Sequence, residues 1–378
     1  MKILQVIEWF FPRSGVVQST YNLTKELICR GHDVTIITTD FDFDEDFAKG
    51  LENVEIIKFK TISSKFNFIY SPSMKIWLKE NLESYDVIHL QDFRTYQNWV
   101  VHKYAKRFKI PYSLQAHGSV LPFFSNELLK KIYDLFFGYD ILNHADKLIA
   151  LTDVEVEQYK LMGVDEKKIV IVPNGIDINQ FKNLPSKGKF KDNYCIQKNE
   201  RVILYLGRIN KIKGIDLLVN AFLHLTKELD NIRLVIVGPD SGFLSELEKQ
   251  IDPTIKNKML FTGPLYGKDK LEAYVDADVY VLPSIYETFP LTVLESLACG
   301  TPVVVTDVSG ISDIIDNKVG FVVKESNAMT KAMLTLLKDP KLSGKFSVNG
   351  KKVIKEEFSL EIVVEKMECV YKEIIHKY

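Results

Sequence analysis

Short apolar runs alternate with amphipathic stretches along almost the whole chain. In the first half the runs cover 2–7, 33–38, 54–59, 86–90, 112–116, 147–151 and 168–172. Between the first two, a helix-period stretch runs from about Gln18 to Cys29 and stops at Gly31. Alternation of this kind implies a mostly parallel, doubly wound sheet. The pattern breaks at 174–199 into a polar run with Lys, Asn and Gly, which reads as a linker. A second series of runs follows at 202–206, 233–237, 258–262, 278–282, 302–306 and 320–323. Helical patterns over 326–338, 343–355 and 359–375 end the chain. The fold class is α/β, with one domain over 1–180, a second over 200–358 and a terminal helix over 359–378.

The length of 378 residues suits two or three domains. Hydrophobic content of 46% and charged content of 26% describe an ordinary globular protein. A net charge of −1 gives no general attraction to nucleic acid, and none is expected as a partner. Cys29, Cys195, Cys299 and Cys369 are scattered, with neither zinc nor redox-pair spacing, as expected of reduced cytoplasmic thiols. The first apolar run is too short and interrupted for a signal peptide. No apolar stretch approaches the roughly 20 residues a spanning helix needs.

Two loops carry the candidate chemistry. In Y-E-T-F-P-L-T-V-L-E-S-L-A-C-G-T-P-V-V, Glu287 precedes a helix that is predicted to open near Pro290, and Glu295 lies about a turn inside it. The amides of Phe289, Leu291 and Thr292 become donors at a positive helix end, a natural anion site. Two carboxylates flanking it suit sugar and ribose hydroxyls, whereas they repel a bare phosphate. Leu291, Leu294 and Leu297 are spaced to face inward together. Earlier, V-I-L-Y-L-G-R-I-N-K-I-K-G ends a strand at Gly207, which permits a tight turn. Arg208 offers a planar fork and Lys213 a point charge, and five residues apart both can reach one diphosphate. Ligands of open α/β sheets bind at such carboxyl ends of strands.

G-R-x-x-x-x-K-G, E-x-F-P-L-x-x-x-E, the C-G-T-P-V-V run, P-N-G-I-D at 173–177 and G-H-D-V at 31–34 together resemble the retaining, nucleotide-sugar-dependent glycosyltransferases of family 4, over essentially the full length. The resemblance implies the GT-B architecture: two Rossmann-like domains facing a cleft, with the C-terminal helix crossing back to the first. It implies that Arg208 and Lys213 stabilise the departing diphosphate, that Glu287 holds sugar hydroxyls with help from Thr288 and the Phe289, Pro290 and Leu291 turn, and that Glu295 holds the ribose. Gly207, Asn174 and the backbone at Gly263 and Leu265 complete the implied substrate contacts. The family usually has a glycine pair after the first strand. Here it is Gly15-Val16, so close backbone approach is expected at Gly15 and in doubt at Val16. G-x-G-x-x-G is absent from this turn, which argues against an NAD enzyme. His117, at a strand end in Q-A-H-G, is implied to contact the sugar near its reacting carbon, and His89 is open as an acceptor-facing group.

No cofactor beyond the co-substrate is expected. Partners implied are a UDP- or GDP-linked sugar and a glycan or lipid-linked acceptor, at a cytoplasmic location that extends to peripheral contact with the inner membrane face. F-D-F-D-E-D-F at 41–47 contains a D-x-D able to hold a divalent metal, but a solvated acidic loop is the preferred reading, since Arg208 and Lys213 already supply cations. The aromatic-rich 121–142 segment reads as a helix packed among neighbours. The alternative is an exposed face for lipid, which turns on Phe123, Phe124, Phe136 and Phe137. Two other functions stay open: a nucleotide-sugar epimerase on the same fold, and a non-catalytic nucleotide- or glycan-binding protein.

Overall fold

The computed structural model describes residues 1–12, 14–65, 68–123 and 126–377. The chain forms two compact units. One is Met1–Gly175 together with Leu360–Tyr378, and the other is Ile176–Ser359.

The first unit contains β1 (Lys2–Val6), β2 (Asp33–Thr39), β3 (Glu55–Phe59), β4 (Ser63–Lys65), β5 (Phe68–Tyr70), β6 (Val87–Gln91), β7 (Tyr112–Gln115), β8 (Lys147–Ala150) and β9 (Ile169–Ile171). Seven of these form a parallel sheet in the order β3-β2-β1-β6-β7-β8-β9. β4 and β5 form a separate antiparallel hairpin that the hydrophobic pattern did not foretell. The strand order reverses between β1 and β6, where Val6 lies opposite Leu90. In a doubly wound sheet that reversal opens a crevice at the carboxyl ends of the strands.

Helix Gly15–Cys29 starts three residues before the expected Gln18, because Ser14 caps it: its Oγ accepts the Val17 amide at 3.5 Å. Gly15 therefore stands in the first helical turn rather than in a loop. The last helix, Leu360–Ile375, belongs to this first unit. Its residues Val363, Val364, Met367, Val370, Tyr371 and Ile374 recur at helical spacing and share one core with Ile3, Leu23, Leu27 and Val87.

The polar run after Asn174 is not a free linker. From Ile176 onward it is part of the second unit, where it folds into the short helix Lys189–Asn193 and buries Phe190. Asp276 fixes it by accepting the Lys191 amide at 2.9 Å. A few apolar anchors hidden among many lysines hold this segment down, and composition alone misses them.

The second unit carries β10 (Arg201–Leu206), β11 (Ile232–Val237), β12 (Met259–Gly263), β13 (Val279–Leu282), β14 (Val303–Thr306) and β15 (Gly320–Val323). They form a parallel sheet in the order β12-β11-β10-β13-β14-β15. Its reversal falls between β10 and β13, the two strands that lead into the candidate loops. Helices Ser326–Lys338 and Pro340–Glu357 lie close to their predicted spans. Asp339 separates them and caps the second, accepting the Lys341 and Leu342 amides at 3.0 Å.

Candidate active site

In the second unit the loop after β10 and the loop after β13 meet at the point of strand reversal. The Ile285 amide donates to the Ile212 carbonyl at 2.8 Å, which ties them together. Gly214 makes this approach possible. Its φ is +61°, and a Cβ there would lie 2.1 Å from the Pro283 carbonyl oxygen. Only glycine satisfies both conditions. The tight fit brings Lys213 onto Glu287: the half-buried ammonium donates directly to Glu287 Oε2. Glu287 is also fixed by its backbone, whose carbonyl accepts the Gly310 amide at 2.9 Å.

Arg208 lies on the rim, exposed, with its carbonyl accepting the Tyr205 hydroxyl at 2.8 Å. Among the described residues no carboxylate forms an ion pair with its guanidinium. The loop thus presents one free planar cation and one cation already shared with a carboxylate.

The helix after β13 runs from Leu291 to Cys299, with Pro290 as its N-cap rather than inside its first turn. Gly300, at φ +85°, closes it. Leu294 and Leu297 are buried, whereas Leu291 is only half-buried, so the inward stripe is narrower than the spacing implied. The Tyr280 hydroxyl lies 2.7 Å from Thr292 Oγ1 and 3.1 Å from the Leu206 carbonyl, joining the helix start to the end of β10. Phe289 is buried against Phe358, with ring centroids 5.8 Å apart, and Pro290 is buried beside it. Thr288 is half-buried, as are Gly207, Gly263 and Leu265 at the ends of β10 and β12.

Glu295 is engaged from both sides. Lys270 Nζ donates to one oxygen at 2.7 Å, and the buried Tyr274 hydroxyl donates to the other at 3.0 Å. Each oxygen keeps acceptor capacity for a further donor. Lys270 and Tyr274 were not foreseen. Their one signal is the four-residue spacing on helix Gly267–Asp276.

In the first unit, His117 follows β7 with φ +50°, and Gly118 has φ +87°. This turn is held by Glu155, whose oxygens accept the Gly118 amide at 2.6 Å and the Leu151 amide at 2.7 Å. His117 Nε2 donates to Gln91 Oε1 at 2.7 Å, since Gln91 Nε2 itself donates to Gln5 Oε1 at 2.8 Å. Burial lowers the imidazole pKa below its ordinary range, so the ring is neutral at pH 7 with Nδ1 as an acceptor. His117, Gln91, Gln115, Asn174, Val363 and Met367 line one small cavity. His89 does not reach such a space: it is fully buried, with Nδ1 2.7 Å from the Tyr371 hydroxyl. Gly15 is different. A Cβ there would meet nothing within 4 Å, so the fold itself does not require a glycine. Val16 packs partly against the core of Ile7, Phe10 and Val17.

Two carboxyl groups that the sequence did not single out stand at the ends of β1 and β6. Burial, reinforced by the charge of Asp92, raises the Glu8 pKa to about 8. Burial raises Asp92 to about 7. Asp44 of the D-x-D loop has a local task instead, as cap of helix Glu45–Ala48, accepting the Phe47 amide at 2.9 Å.

Over its described residues, the 121–142 segment is packed on one side only. Phe137 packs against Trp99 with the rings tilted, but Phe136 and Phe123 are exposed, which corrects the expectation of a helix covered by neighbours. Phe124 lies outside the described residues.

Two family models match the chain: "Glycosyltransferase Family 4" over 13–180 and "Glycosyl transferases group 1" over 186–353. An uncharacterized glycosyltransferase of Methanocaldococcus jannaschii is 27% identical over 98% of both chains. An alpha-monoglucosyldiacylglycerol synthase of Streptococcus pneumoniae is 28% identical over 84% of this chain and 74% of its own. Among solved structures, Anabaena HepE in complex with UDP and glucose superposes with a TM-score of 0.81 at 18% identity, covering 99% of this chain and all of that one.

Proposed function

The chain belongs to the two-domain glycosyltransferases of family 4, and from that premise we propose that it moves a hexosyl or N-acetylhexosaminyl group from a UDP- or GDP-linked donor to a hydroxyl of a glycan or lipid-linked acceptor, with retention of configuration. The observation that carries this reading is the strand reversal of the second unit, where Arg208, Lys213, Glu287 and the start of helix Leu291–Cys299 converge.

Arg208 and Lys213 hold the diphosphate, with the free guanidinium binding first and Lys213 turning from Glu287 to phosphate. The carboxylate released by that turn accepts sugar hydroxyls, and Thr288, Phe289, Pro290 and Leu291 shape the wall behind it. Glu295, already oriented by Lys270 and Tyr274, accepts the ribose hydroxyls. Gly207, Gly263 and Leu265 offer backbone to the nucleotide. In the reaction the bond from the anomeric carbon to the diphosphate oxygen breaks, and the leaving group takes the electron pair. The acceptor oxygen bonds to the same face, and its proton passes to a departing phosphate oxygen. Preorganised cations at that growing charge are each worth about 100- to 1000-fold. Gly15 leaves room for a phosphate against a helix start, with Val16 limiting the approach on one side. His117, neutral and fixed by Gln91, meets the sugar with Nδ1 as acceptor, and Asn174 shares its cavity.

No metal is assigned. The two cations take its place, and Asp44 is committed to a helix cap. The acceptor is the less determined partner. A lipid-linked one, in keeping with the diacylglycerol glycoside named for the S. pneumoniae relative, places the protein at the cytoplasmic face of a membrane.

The experiment is a thermal-shift panel of nucleoside diphosphates and their sugars. A specific donor at a hundredfold excess over its Kd adds about 2.7 kcal/mol of stability. Absence of any shift across uridine and guanosine donors would refute the assignment.

A further inference from the structure

Residues 127–144 form one helical segment: Glu127–Tyr133, a π-type turn over Asp134–Gly138, and Tyr139–His144. One side is locked to the first unit. Arg94 donates to both oxygens of Asp134 at 2.8 Å, and Tyr133 and Phe137 pack onto the core beside Trp99. With that side fixed, the other faces water. It carries Leu128, Leu129, Ile132, Leu135, Phe136 and Tyr139, and Leu128, Leu135 and Phe136 are 71%, 72% and 68% exposed. Steps of three and four residues align them into one stripe across the π turn.

A contiguous apolar stripe of this kind is a feature that water-facing surfaces avoid. Its charged border is mostly positive. On the same segment Lys131 is exposed, and Lys130 is half-buried with its ammonium donating to the Phe123 carbonyl at 2.6 Å. The Lys75 ammonium sits 5.4 Å from the centre of the Trp99 ring, which in turn packs 5.2 Å from Phe137. Of the nearby carboxylates, Asp134 is neutralised by Arg94 and Asp140 is paired with Lys106, which leaves Glu127. A twofold pairing with a second copy would set the same lysines against each other. An apolar stripe edged by lysines complements a surface of acyl chains beneath anionic headgroups.

We propose that the outward face of residues 127–139 docks on an anionic lipid bilayer, with Leu128, Ile132, Leu135 and Phe136 entering the interface and Lys75, Lys130 and Lys131 meeting the headgroups. This surface stands without the transferase reading and gives it a location.

The test is flotation of the full chain with phosphatidylcholine vesicles, with and without phosphatidylglycerol, at low and high salt. The wild type floats with the anionic vesicles, less at high salt. Each lysine near such a surface contributes ~1 kcal/mol, about fivefold, so Lys130→Glu/Lys131→Glu weakens partitioning by about 25-fold or more. Leu135→Ser/Phe136→Ser abolishes it at every salt. Leu135, Phe136 and Lys131 are exposed and Lys130 is half-buried, and a circular dichroism melt on each variant reports folding independently of any ligand. Wild type that stays behind with both vesicle types, or variants that float like wild type, overturns the proposal. So does a dimer in light scattering that Leu135→Ser/Phe136→Ser breaks while no vesicle binds. Failure of every donor to bind, with flotation intact, would instead count against the transferase reading alone.

Discussion

Lys213 and Glu287 allow a pair of substitutions with opposite expected signs. In the free protein the ammonium is bound to the carboxylate, and both are half-buried. A diphosphate must therefore draw Lys213 away from Glu287 before gaining it. Charge-assisted hydrogen bonds contribute roughly 1.5–3 kcal/mol. At about 1.36 kcal/mol per tenfold, that is about ten- to a hundredfold in affinity. The lost ion pair offsets part of it, so Lys213→Ala weakens UDP or GDP binding by about tenfold. It also leaves Glu287 unpaired beside the phosphate site, which adds repulsion. Because leaving-group charge grows along the reaction, kcat falls further, by about 100-fold. Glu287→Gln acts the other way on the nucleotide: it frees Lys213 and removes a competing anion, so free UDP or GDP binds more tightly, while turnover of the nucleotide sugar falls. Isothermal titration with UDP and GDP, beside initial rates with the sugar donors, measures both. Equal nucleotide affinity in wild type, Lys213→Ala and Glu287→Gln would show that this pair does not face the diphosphate.

Three further outcomes follow from other parts of the molecule. Chelator leaves most activity in place, and Asp42→Ala is mild, while Asp44→Ala costs about 1 kcal/mol through loss of its helix cap; full inactivation reversed by manganese would reassign the D-x-D loop. Glu8 keeps its proton up to about pH 8 when folded and releases it near 4.5 when unfolded, so its contribution is fully present below pH 4.5 and is lost as pH rises through 8; Glu8→Gln, which can still accept the Ile69 amide, therefore raises Tm relative to wild type at pH 9 but not at pH 4, in parallel thermal melts. Tyr371→Phe removes the buried hydroxyl that lies 2.7 Å from His89 Nδ1 and accepts from Gln5 Nε2 at 3.3 Å, leaving His89 only the longer Gln91 contact, at a cost of about 1–3 kcal/mol in denaturant unfolding.

The alternation of apolar runs revealed every strand of both large sheets, because a sheet covered by helices on both faces keeps most strand positions apolar, with buried polar exceptions such as Gln5, His89 and Gln115. The three C-terminal helices were legible from their one-sided apolar period, with Asp339-Pro340 marking the break between two of them. The hairpin of β4 and β5 was not, since Ser63–Lys65 is polar and half-exposed and pairs only locally. The span after Asn174 misled because Phe190 and Asp276 fix it through contacts distant in sequence. In the site, the residue types in both loops were readable, but the pairing of Lys213 with Glu287 was not: it depends on how closely Gly214 lets two strand ends approach. Lys270 and Tyr274 escaped notice because their role exists only once their helix lies beside Glu295. The 121–142 segment looked like core because its stripe is apolar on both sides. The Arg94–Asp134 clamp and the packing of Tyr133 and Phe137 on the core show which side faces inward.

The central claim is sugar transfer from a nucleoside diphosphate, and proton NMR of the anomeric signal during turnover tests it most directly. With a UDP- or GDP-linked α-sugar and a glycan or lipid acceptor, the account predicts loss of the donor signal, release of the nucleoside diphosphate and growth of a new α-linked product. A β-linked product would contradict retention. An intact donor whose sugar is epimerised, or no cleavage with any donor and acceptor pair, would contradict the transferase itself.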